Sequence, residues 1–425
     1  MEGKSRLFSG AGCAAPTLLL AVVAAAGLWG CGRGIEMPYA NFVQSSASEP
    51  DIPAKGNAFG DYQVAAKEFE EKLATRQNLL HKSSFTPNEQ EQIEVAAADP
   101  LKHVKAGLQK GCRISYAPAG SKEATEGRNS MHLLAKVLIW RIQKACESQS
   151  YETAIESAVL ATKFGFDLSN GLPNDASLGL LTVDAARQAI APSLAEMSPE
   201  QLDMLARSMK TVFLNRSNMA NCYESAEKDA LGQVQMIQDV YRSQRYEDLD
   251  RQLGTVAKEI VPTLKELHRQ PDSRRVAFFN GFAQQARDES ELVKQQAALP
   301  LAQRVPPPPP NPSAERPWKK VARRVLGISK PLLSMCDATE ARTELLILEA
   351  EIIRSRKATG KTPDDLSKFS IKLSTDPYSG QAFIYRTDGS DYKLYSIGED
   401  LIDNDGETDE TYTTPDLRLE RTSRG

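Results

Sequence analysis

A mainly α-helical chain is predicted: an irregular array of helical hairpins followed by a small α+β module of one long helix and a short antiparallel sheet. Three features of the 425-residue sequence carry that expectation. Apolar residues recur at helical spacing through residues 57–300, and helix-start signals of one chemistry recur along the chain. Alternating, turn-punctuated sequence is confined to the region near the C-terminus. The balance of 52 Lys+Arg against 56 Asp+Glu, net −4, excludes a globally basic nucleic-acid binder and an acidic disordered chain. No nucleic-acid partner is expected. Four histidines leave little room for a multi-histidine metal site.

Residues 1–30 read as a leader. Lys4 and Arg6 precede an almost wholly apolar run, Ala14–Trp29, which is the n-region and h-region order of a secretion signal. The run ends in Leu28-Trp29-Gly30-Cys31, which resembles the bacterial lipobox. That resemblance implies that Cys31 becomes the lipidated first residue of a membrane-anchored lipoprotein. An uncleaved signal anchor and an ordinary cleaved signal are the other readings. All three place the bulk of the chain in the bacterial cell envelope, facing periplasm or exterior, with the membrane as its first partner. Residues 31–56, rich in Ser, Pro and small side chains, read as a tether.

Cysteines at 112, 146, 222 and 336 remain beyond the leader. Four in an oxidising compartment permit two disulfides, in any of three connectivities, or free buried thiols. No two have the spacing of a zinc site.

Within the helical domain, 57–300, two start signals are Thr86-Pro87-Asn88-Glu89 and Ser198-Pro199-Glu200-Gln201, and a third stands further on at Thr362-Pro363-Asp364-Asp365. Each offers a hydroxyl N-cap, proline at the first helical position and an acceptor side chain at the third. Leu134, Val137, Leu138, Ile142 and Ala145 line one face of a helix over Met131–Glu147. After Ser148-Gln149-Ser150 a second helix carries Tyr151, Ala154, Ile155 and Ala158. This pair resembles a tetratricopeptide-type hairpin, without a clear repeat of its period. Asn170-Gly171-Leu172-Pro173 breaks the array. Helices then resume over Leu178–Leu194, Gln201–Val212, Ala220–Tyr241, Asp250–His268 and Asp272–Gln296. Such arrays offer grooves for partners, or simply pack their apolar faces on one another.

Residues 301–317 contain the run Pro306–Pro310 and read as a stiff polyproline spacer. The cluster Trp318-Lys319-Lys320 with Arg323-Arg324 reads as a solvated helix face, with lipid phosphate as the other reading. In the module, 318–425, a helix over Ala338–Lys357 carries Ala341, Leu345, Leu348 and Ile352 in one stripe, and Gly360 suits its C-terminal cap. Thr362-Pro363 should start a short second helix through Leu366 and Phe369. Strands are expected over Gln381–Arg386 and Asp391–Ile397 around the turn Asp388-Gly389. Tyr392, Leu394 and Ser396 face one side, and Lys393, Tyr395 and Ile397 the other. A hairpin is marginal alone, so one face should pack on the helix stripe.

The run Asp376-Pro377-Tyr378-x-Gly380, then Tyr385, then Tyr392-x-Leu394-Tyr395-Ser396-Ile397-Gly398-x-Asp400 resembles the C-terminal region of type II secretion major pseudopilins. The resemblance implies a helix-plus-sheet fold, a secretion-related setting, and a structural calcium in the following loop, held at the matching positions Asp400, Asp403 and Asp405. It departs from the family in the leader, which carries no acidic residue in its apolar run and lies some 300 residues from the module. Read by itself, Glu399–Glu410 holds seven carboxylates in twelve positions. Such a loop is either solvated or neutralised by a hard cation with oxygen ligands. Leu401 and Tyr412 at the first and twelfth positions exclude an EF-hand.

No phosphate loop, G-x-S-x-G, H-E-x-x-H or C-x-x-C occurs. His81, His103, His132 and His268 are scattered through helical stretches. The expectation is a non-enzymatic envelope scaffold with a protein partner; the alternative is an envelope hydrolase with its site in the helical domain.

Overall fold

The computed structural model describes residues 56–419, apart from 83, 116–126, 217–218, 306–315, 326–328, 370, 372–373, 388–390 and 408–415. The leader, Cys31, the proline run and the Asp388-Gly389 turn lie outside the described residues. The described residues all fall in one compact unit, 40–425.

The predicted class holds: the chain is mainly helical, with a small antiparallel sheet near the C-terminus. Helices α1 (Ala58–Lys72), α2 (Pro87–Ala97) and α3 (Pro100–Ala106) come first. A hairpin follows, α4 (Arg128–Glu147) and α5 (Tyr151–Leu168), then α6 (Pro173–Ile190) and α7 (Pro199–Leu214). Both expected capping boxes are present: Thr86 with Glu89 opens α2, and Ser198 with Gln201 opens α7. The start expected at Thr362-Pro363 makes no α-helix. Too few apolar residues follow it to bury a helical face, and Asp365 instead caps a single 3-10 turn, Leu366–Lys368.

Helices α5 and α6 cross at two glycines. A Cβ on Gly165 would stand 2.6 Å from the carbonyl oxygen of Gly179, and one on Gly179 only 2.3 Å from that of Gly165. Nothing larger than hydrogen fits between these backbones.

A polar arm follows: α8 (Ala220–Ser243), α9 (Glu247–Leu253), α10 (Thr255–Leu267), α11 (Asp272–Ala297) and the short α12 (Pro317–Val325). The single helix expected over 250–268 is divided at Gly254, whose φ of +55° breaks the ladder.

The last helix, α13 (Ser329–Thr359), starts nine residues before the expected Ala338 and ends at Gly360, φ +73°. Two faces of α13 are buried. Ala341, Leu345, Leu348 and Ile352 form one core with Leu366, Tyr378, Phe383, Tyr392 and Leu394, the packing expected for the sheet. Leu346, Ile347 and Ala350 enter the core of α4, α5, α6 and α7. A helix apolar on both sides is a buried helix, and α13 is shared by the helical body and the sheet.

The sheet is a hairpin of β1 (Ile384–Thr387) and β2 (Tyr392–Tyr395), with Arg386 opposite Lys393 and Thr387 opposite Tyr392. The strands are shorter than expected at both outer ends. Beyond β2, Ser396 pairs with Leu417 in an isolated bridge.

Candidate functional site

The residues that carried the family resemblance converge on one face of α13. Asp376 organises the turn there. Its side chain, in a residue only 1% exposed, accepts from the Tyr378 amide (3.0 Å), the Ser379 hydroxyl (3.2 Å) and the Ser396 hydroxyl (2.9 Å). The Gly380 amide donates to the Asp376 carbonyl at 2.8 Å, closing the turn. The segment before the proline run completes this corner. Amides of Leu301 and Ala302 donate to the carbonyls of Pro377 and Tyr378 (2.9 and 2.8 Å), and Arg304 grips Asp337 of α13 through both guanidinium nitrogens. Burial pushes the Asp337 carboxyl up to about 6, more than Arg304 pulls it down, and the neighbouring Glu340 and Glu399 push the same way.

On the outer face of the sheet, Arg386 and Lys393 are directly opposite, an unfavourable cross-strand pair of like charges. The acidic loop answers it. Asp403 accepts from Arg386 (2.6 Å) and from the Tyr395 hydroxyl (2.8 Å), and Asp405 accepts from both Arg386 and Lys393. The Tyr395 hydrogen bond is the first cause holding the Asp403 carboxyl below its usual range, and Lys393 is the first for Asp405. Gly406, at φ +72°, lets the loop lie against the Tyr395 ring, which a Cβ would meet at 3.0 Å.

The structure therefore brings Asp403 and Asp405 onto the two strand cations, while Asp400 accepts from the Ile402 amide at 3.0 Å. One acidic residue of this corner was not singled out from the sequence. Asp416 is 1% exposed; its Oδ2 accepts from the Asn404 and Gly406 amides (3.0 and 2.7 Å), and its Oδ1 is buried without a hydrogen-bond partner. Burial raises its carboxyl above the ordinary range, and the charges of Asp403 and Asp400 add to that rise. No sequence signal marks Asp416, because its ten-residue separation from Gly406 belongs to no motif. Among the described residues, no group of three or more His, Cys, Asp or Glu stands ready to hold a metal ion.

In the helical body, Lys163 binds both carboxylate oxygens of Asp167 at 2.5 Å, and Tyr62 donates to the same carboxylate at 2.5 Å. These three residues are 6%, 1% and 1% exposed, so the cluster is closed to a substrate and ties α1 to α5. The i,i+4 Lys–Asp spacing within the mostly apolar stretch Ala158–Leu168 is the sequence signal that could have marked it. A shallow surface depression of about 250 Å³ lies at the α4–α5 turn, lined by Arg141, Lys144, Ala145, Ser148, Ser150 and Thr153. His81 contacts Asn129, His103 lies 3.3 Å from Glu68, and His268 bonds the Tyr246 hydroxyl at 2.8 Å. Cys112, Cys222 and Cys336 are free thiols, and Cys146 is buried in the helical core. No helix among the described residues is long and apolar enough to cross a membrane.

Comparison with protein-family models, with curated proteins and with solved structures finds no match to this chain.

Proposed function

We propose that the chain is a non-enzymatic protein of the bacterial cell envelope, lipidated at Cys31, in which a helical scaffold displays a pseudopilin-like module to a protein partner, in a secretion-related setting. The observation that carries this reading is the double burial of α13. One face belongs to the helical core and the other to the sheet, so the scaffold holds the module's loop corner as a fixed surface. The test has two arms. Cys31→Ser should leave a larger or soluble form after membrane fractionation; unchanged mass and partition refute lipidation. Affinity capture from envelope extract should recover a partner with the wild-type chain and lose it when loop 399–407 is replaced. A partner retained after that replacement refutes the module as the display surface.

A structural calcium belongs to the same reading. Asp400, Asp403 and Asp416, which do not stand assembled as a metal-holding group, would draw together to hold it: all three supply oxygen donors, as calcium requires, and the buried Oδ1 of Asp416 lacks a partner. Asp405 stays with Lys393 and Arg386. Calcium would replace mutual repulsion by a fixed positive charge beneath the loop. Whole-chain melting should rise with millimolar calcium and return with chelator, and Asp416→Asn should abolish the shift. No shift in the wild-type chain overturns this part.

A further inference from the structure

We infer that α12 and the residue before it form a basic ridge that lies against an anionic lipid surface. From Arg316 to Cys336 the chain contains no acidic residue, while it carries Arg316, Lys319, Lys320, Arg323, Arg324 and Lys330. This is the opposite sign from the chain as a whole, which is net −4.

The structure fixes how the ridge is turned. Val321 and Ala322 are 1% and 0% exposed, and the half-buried Trp318 lies so close over α11 that a Cβ on Gly281 would meet its ring at 2.5 Å. With 318, 321 and 322 facing α10 and α11, the 100° step of a helix places positions 319, 320, 323 and 324 on the opposite arc. Arg316 is exposed, with its guanidinium carbon 5.1 Å from the Trp318 ring centroid. Lys319 is exposed and has no ion-pair partner among the described residues. Helix positions occupied by Lys and Arg that share one arc form the composition that an anionic lipid surface attracts. Each Lys or Arg near an anionic surface multiplies partition about fivefold.

The choice of a lipid surface over an acidic protein rests on the envelope reading of the leader. The test therefore removes the anchor: the mature chain carrying Cys31→Ser is floated with phosphatidylglycerol-containing or pure phosphatidylcholine vesicles. Binding is expected to the anionic vesicles only, falling as salt rises. The variant Lys319→Gln, Lys320→Gln, Arg323→Gln, Arg324→Gln should lose at least about tenfold in partition, with wild-type helicity and melting as its fold control. Should that variant misfold, the salt dependence of the wild-type chain decides. Equal binding to both vesicles, or none, overturns the inference whatever the fractionation of Cys31→Ser shows. Salt-sensitive self-association without vesicle binding also overturns it, in favour of the acidic loop of a second copy.

Discussion

Lys210 of α7 donates to Glu344 of α13 at 2.6 Å, with both side chains no more than 4% exposed and 134 residues apart in the chain. The same ammonium reaches the Ser374 hydroxyl at 2.7 Å, and the Ser374 amide donates to Glu344 at 3.0 Å. Helical body, long helix and module are thus tied at one buried point. Arg216, bonded to Glu340 at 2.6 Å, adds a second tie one turn away.

Removing one partner of such a pair strands a charge in the interior. Lys210→Met should lower unfolding free energy by about 3–5 kcal/mol. Lys210→Met with Glu344→Leu should recover part of that loss, because no charge is left stranded and only the Ser374 amide and hydroxyl lose their partners. Urea unfolding of both variants checks this; a double variant as unstable as the single one contradicts it.

The α5–α6 crossing has room for hydrogen only. Gly165→Ala forces a Cβ against the Gly179 carbonyl and should cost about 1–3 kcal/mol through displaced helices. Gly232, with nothing near its Cβ direction, is the control: Gly232→Ala should stabilise, since alanine is the better helix former. Melting temperatures moving in the same direction would refute the packing account.

Asp376 accepts three hydrogen bonds in a buried corner. Asp376→Ala leaves the Tyr378 amide and the Ser396 hydroxyl without that acceptor and should cost about 3 kcal/mol. Asp376→Asn keeps one acceptor oxygen and should cost less. Equal stability of the wild-type and Ala chains in chemical denaturation would show the turn holds without it.

Asp337 sets a pH dependence of definite sign. In the folded chain its carboxyl takes a proton at about 6, whereas an unfolded aspartate waits until about 3.9. The folded state therefore binds the extra proton between those values, and this group's contribution to stability falls as pH rises from about 4 to about 6. Asp337→Asn removes that slope. The stability difference between the two chains, measured across this range, should change with pH; a constant difference contradicts the assignment.

Local patterns in the sequence were legible where each needed only near neighbours. The stripe Ala341, Leu345, Leu348 and Ile352 is one helical face, and the alternation through Tyr392 and Leu394 supplies its matching sheet face. Capping boxes at Thr86 and Ser198 were equally local. The second buried face of α13 was not legible, because a helix apolar on both sides gives no direction for its partners. The tie to Lys210 crosses 134 residues and leaves no periodic trace. In the loop, the carboxylate cluster was visible, but its answer lay in the register that sets Arg386 opposite Lys393. Asp416 entered only through the fold.

The central claim is that α13 joins helical body and module into one folding unit. Hydrogen exchange of the whole chain in rising denaturant tests it most directly, by following α7 and β2 peptides together. The account predicts that both lose protection at the same denaturant concentration. Loss of β2 protection while α7 stays protected would contradict it.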